Sequence, residues 1–88
     1  MRRITKFGVL PIFRGLGGKL TPLRVLDAPS AKEARRKADM LASVVGGAVM
    51  FSRSGDPVLQ QWDETVILGY SGDVPEGIKA TSRSIEQA

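Results

Sequence analysis

One helix-forming segment stands between two pairs of strand-forming segments, and this arrangement constrains the fold more than any other feature of the chain. Pro29-Ser30-Ala31-Lys32-Glu33 marks its start as a capping box. The Ser30 hydroxyl can accept from the Glu33 amide while the Glu33 carboxylate reaches back to the Ser30 amide. Glu33 in the first turn also suits the positive end of the helix dipole. Gly46-Gly47 supplies a left-handed stop, so the helix is predicted over residues 31–45. Ala31, Ala34, Ala38, Leu41, Ala42 and Val45 fall on one stripe about 100° wide. Alanine in the first turns lets the helix axis approach a sheet closely, so most of the core volume must come from the strands.

Phe7-Gly8-Val9-Leu10-Pro11-Ile12-Phe13 reads as the first strand. Pro11 cannot donate to a ladder, which predicts an edge position or a bulge. The turn Gly15-Leu16-Gly17-Gly18 leads into a second strand over about Leu20 to Asp27, with Leu23 and Val25 on one face and Arg24 and Leu26 on the other. Ala48 to Arg53 is the third strand, ended by Ser54-Gly55-Asp56-Pro57. Val58 to Trp62 is a short connection or a widened hairpin end, and Thr65 to Tyr70 is the fourth strand. From Ile78 onward the chain is polar apart from Ile85, too poor in apolar area to offset ordering. The expected architecture is α+β in the order β-β-α-β-β: an antiparallel four-stranded sheet with one helix packed on one face. Residues 1–77 form the single domain, and residues 78–88 a flexible C-terminal tail.

One helix covers one side of a sheet. The opposite face is expected to present part of the set Leu10, Ile12, Leu26, Met50 and Ile67, joined by Trp62 and Tyr70. That is more apolar area than a small monomer usually leaves in water. A homodimer through sheet faces or edges, a curled sheet or a bound partner would each relieve it, and the homodimer is the first partner to expect. Met40, on the same outer side of the helix as Arg36, fits a contact between subunits. Trp62 serves either as a lid on one end of the core or as an anchor for a partner.

Charge is unevenly distributed. Residues 1–40 hold ten Lys or Arg against Asp27, Glu33 and Asp39, a balance of +7. Residues 41–88 hold Arg53, Lys79 and Arg83 against six carboxylates, a balance of −3. The halves can attract each other within one fold or between copies, or the positive half can attract an anion. Lys32-Glu33-Ala34-Arg35-Arg36-Lys37 is the strongest candidate for anion or nucleic-acid contact. Lys32, Arg35 and Arg36 lie away from or beside the apolar stripe, and Arg2 and Arg3 extend the positive set as an N-terminal arm with Lys6. Against that reading, Glu33 pairs naturally with Lys37 and Arg35 with Asp39 at i,i+4 spacing. No aromatic residue is interleaved with the cluster to offer a stacking platform.

Several chemistries are excluded outright. The chain has no cysteine and no histidine, so it has no disulfide, thiolate nucleophile, zinc finger or imidazole catalyst. A Mg²⁺ or Ca²⁺ site built from carboxylates, or a small enzyme relying on carboxylates and Ser, stays formally open. The acidic residues form no EF-hand pattern, however, so catalysis, cofactors, metal and a small-molecule substrate are not expected. Gly15-Leu16-Gly17-Gly18-Lys19 is no phosphate loop: Phe13 stands where the first glycine belongs, and Leu20 where Ser or Thr must follow the lysine. The apolar runs 7–13 and 44–51 fall well short of the ~20 residues of a membrane span. Absence of cysteine favours a cytoplasmic location.

Ser30 through Pro75 resembles a type of small uncharacterised bacterial single-domain protein, in some cases of prophage setting. In that type an Arg/Ala-rich helix precedes a strand of the form Ala-hydrophobic-x-Phe-Ser-Arg, then Gly-Asp-Pro, an acidic lead into another strand and a closing Val-Pro. Here these are Ala48 to Arg53, Gly55-Asp56-Pro57, Asp63-Glu64 and Val74-Pro75. The resemblance implies no activity and no site residues. Asp56-Pro57 is good turn chemistry, whereas the Ser52-Arg53 that precedes it has no role evident from the sequence.

Overall fold

A computed structural model of the chain describes residues 3–78. The elements are β1 (Ile4–Arg14), β2 (Leu20–Pro22), β3 (Leu26–Ala28), α1 (Ala31–Val45), β4 (Gly46–Asp56), β5 (Gln61–Trp62) and β6 (Val66–Gly72). All strand pairings are antiparallel. The two long strands β1 and β4 lie at the centre, in register from Ile4 opposite Gly55 to Phe13 opposite Gly46. β2 and β3 pair with β1, and β5 and β6 pair with β4. The fold is thus α+β, with one helix over a curled antiparallel sheet whose short strands are two outer positions, each broken in two.

Pro11 sits inside the sheet rather than at an edge, between β4 and the β2–β3 side. In an antiparallel strand the amide and carbonyl of one residue point to the same side. The Pro11 carbonyl accepts from the Leu23 amide at 2.9 Å, so the missing Pro11 donor faces the stretch 23–25. That stretch is where the outer strand breaks: Ile12 pairs with Pro22, Val9 pairs with Leu26, and one extra residue is accommodated between them. The proline is tolerated because its neighbour, not its own strand, carries the bulge. For the same reason Leu23, Arg24 and Val25 do not alternate between faces as strand residues.

Helix α1 begins where the capping pattern places it. Ser30 Oγ accepts from the Glu33 amide at 3.2 Å, while the Glu33 carboxylate turns outward to Arg36. Gly46, at φ 125°, donates its amide to the Ala42 carbonyl, and strand β4 starts at that residue without a loop. Ala34 and Ala38 are fully buried against Val9, Ala28, Ala48 and Met50, with Phe7, Leu41 and Leu68 at the margin. Ala31 is exposed, so the buried stripe is shorter than the sequence pattern. Val9 is the largest side chain wholly enclosed on this face, and burial of one such valine contributes about 2 kcal/mol.

The reverse face differs from expectation in two respects. Met50, paired with Val9, belongs to the helix side, and Leu26 shares that register, so neither faces the reverse. Ile12 and Val49 do lie there, yet both are only 2% exposed. Val74 and Ile78 fold back over them, and Leu10, Leu20, Ile67 and Tyr70 complete the cluster. The chain therefore caps one end of its own reverse face. Ile78 belongs to this packing rather than to a tail, and the rest of the expected tail, residues 79–88, lies outside the described residues. Among the described residues no helix is long and apolar enough to cross a membrane.

Candidate functional site

Beyond the capped end, the reverse face opens into a cleft of about 500 Å³ with Leu10, Val49, Phe51 and Ile67 along it and Lys6 and Arg53 at one end. Strand periodicity accounts for this grouping. Phe51, Arg53 and Gly55 alternate along β4 at ~7 Å steps and share one face. Opposite them on β1 stand Gly8, Lys6 and Ile4, and opposite Gly55 on β5 stands Trp62.

Glycine allows both aromatic rings to lie against the sheet. A Cβ on Gly8 would meet Phe51 Cζ at 2.6 Å, and a Cβ on Gly55 would meet Trp62 Cε3 at 2.9 Å. The Arg53 guanidinium lies 4.7 Å from the Trp62 ring centroid, and Lys6 Nζ 5.9 Å from it. Phe51 and Trp62 are half-buried, whereas Lys6 and Arg53 are exposed. Neither cation forms an ion pair among the described residues. The nearby Asp63 carboxylate is held by Arg3 instead. This gives Arg53 the role that its sequence context left open. Asp56 also has one: 4% exposed, its Oδ1 accepts from the Val58 and Leu59 amides at 2.9 and 3.3 Å and closes the β4–β5 turn.

The residues singled out in the sequence do not converge. Lys32, Arg35 and Arg36 are exposed on α1, where Arg35 pairs with Asp39 at 3.9 Å and Arg36 with Glu33 at 3.3 Å. Lys37 donates to the Asp27 carbonyl at 2.9 Å rather than meeting Glu33. Arg3 joins Asp63, Arg14 joins Asp73 at 2.9 Å, and so the positive and negative halves of the chain meet within one fold. Arg2 lies outside the described residues. Met40 is 59% exposed on α1, whereas Trp62 lies on β5 and Tyr70 packs into the reverse-face cluster. Phe51, Lys6 and Arg53 were missed as a group. The available signal was the period-two spacing Phe51-x-Arg53-x-Gly55, which puts a ring, a cation and a glycine in one row.

The sheet edges form a second candidate surface. β6 pairs with β4, and no described strand pairs with its other side. It runs for seven residues, Val66-Ile67-Leu68-Gly69-Tyr70-Ser71-Gly72, with no charge and no proline, and Val66 is 52% exposed. Among the described residues no group of three or more acidic side chains is placed to hold a metal ion. Compared with protein-family models, curated proteins and solved structures, the chain finds no match in any of the three.

Proposed function

We propose that this domain works by binding rather than by catalysis, and that its first partner is a second copy of itself, joined edge to edge through β6. The observation that carries the reading is the seven-residue strand β6, which has no charge and no proline and whose outer side is paired by no described strand. Edge strands are normally protected by charges, proline, bulges or brevity, because their free amides and carbonyls template pairing with another chain. β6 has a bulge, where the register with β4 shifts beside Met50 and Phe51, but none of the other devices. An uncharged strand is also self-complementary: two copies meet antiparallel with no like charges facing within the strand. The sheet would then run continuously through both protomers.

Light scattering on a sizing column across a wide concentration range tests this. A dimer mass that falls towards the monomer on dilution supports the reading, and Val66→Lys should favour the monomer by placing a cation on each joining edge. A strictly monomeric mass at millimolar concentration overturns it. Nucleic-acid contact through Lys32, Arg35 and Arg36 has less support, because two of these cations already face carboxylates on their own helix.

A further inference from the structure

We infer that the row Phe51, Arg53, Lys6 and Trp62 on the reverse face is a binding site for single-stranded nucleic acid. Such sites combine aromatic faces, on which bases stack regardless of sequence, with cations that meet the phosphates. Both parts are present in one row. Two rings lie against glycines of the sheet, Phe51 over Gly8 and Trp62 over Gly55. Between them Lys6 and Arg53 face each other across the β1–β4 ladder, without ion pairs among the described residues. The guanidinium stacked on Trp62 offers a second planar surface, and bases stack on arginine planes as well as on aromatic rings.

The cleft beside Phe51, at about 500 Å³, has room for a base. Its lining is mostly apolar, with Lys6, Arg53, Thr65 and the single carboxylate of Asp27 as its polar members, so it rewards removing a base from water. A duplex has no free base face to offer Phe51 or the Arg53 plane over Trp62, because its bases are already stacked. An acidic peptide without aromatic residues would satisfy the cations but offer no ring to stack on Phe51. The formal net charge of +4 favours approach of a polyanion. This reading is independent of the dimer: the row lies within one protomer and is complete without a second copy.

Trp62 is the sole tryptophan, so intrinsic fluorescence reports on the site directly. The experiment titrates the full chain at low salt with an eight-nucleotide oligothymidylate, with polyphosphate and with oligo-glutamate as polyanions that have no bases. The expected result is saturable quenching by the oligonucleotide alone. Affinity should fall about tenfold in Phe51→Ala. The two phosphate-facing cations predict a log–log salt slope of about −1.4. Arg53→Gln, an exposed change that leaves the fold intact, should weaken binding at least fivefold, whereas Arg35→Gln with Arg36→Gln should leave it within twofold. Equal quenching by polyphosphate or oligo-glutamate would overturn the inference, because charge alone would then explain the attraction. Absence of quenching at low salt would also overturn it. So would quenching that appears on concentrating the protein by itself, which would give the cleft to a second copy.

Discussion

The two outer edges of the sheet are built on different principles. On the β1 side, the edge is two three-residue strands separated by a bulge, and it carries Pro22, Arg24 and Asp27. On the β4 side, β6 offers seven consecutive residues without charge or proline. Both outer positions contribute to the helix-side core, β3 through Ala28 and β6 through Leu68, so core packing alone does not explain the difference. The first edge has the features that discourage pairing with another chain, and the second lacks most of them. Among the described residues one edge is thus protected and the other is not, and the proposed dimer uses that asymmetry. The broken edge also has an internal cause, since the Pro11 amide that would have bonded it does not exist.

Substitutions can break this comparison or sharpen it. The largest effect should come from Gly47→Ala, because a Cβ there would stand 1.9 Å from the Asp73 carbonyl oxygen where β6 ends against β4. Loss of about 3 kcal/mol in urea unfolding is expected, as for other overpacked sites, and an unchanged midpoint would contradict the placement of β6. Next comes Val66→Lys on the open edge, which should weaken self-association by at least thirtyfold, about 2 kcal/mol, in sedimentation equilibrium. Its monomer stability should shift by less than about 0.5 kcal/mol, since Val66 is already half exposed. Arg14→Ala removes an ion pair to Asp73 whose partners are 60% and 50% exposed, and should cost no more than about 0.5 kcal/mol in thermal unfolding. The smallest effect belongs to Leu23→Lys on the guarded edge, where mass and stability should both stay unchanged. If Leu23→Lys dissociated the dimer and Val66→Lys did not, the two edges would have been assigned the wrong way round.

What was legible in the sequence was local. Ser30, Glu33 and Gly46 lie within or beside α1, and their roles follow from a few neighbouring residues. The positions of Pro11 and Met50 depend on partners elsewhere in the chain. Pro11 is interior because β4 returns to its free side, and Met50 faces the helix because β4 meets β1 in the register Val9–Met50. A one-residue slip would have sent it to the other side. The covering of the reverse face was hidden for a similar reason. Val74 and Ile78 are single apolar residues in polar surroundings, and only the turn after Gly72 brings them over Ile12 and Val49. The face expected to be bare is therefore partly closed by the chain itself, and the open edge and the cationic end of the cleft carry the case for binding. The Arg53–Trp62 stack joins residues on different strands, so neither residue announces it alone.

Backbone hydrogen exchange followed as a function of protein concentration probes the open edge most directly. Amides within Val66–Gly72 that point away from β4 should exchange more slowly as concentration rises, while those of Leu20–Pro22 and Leu26–Ala28 keep a constant rate. Exchange in β6 that stays fast and independent of concentration would contradict an edge-to-edge dimer.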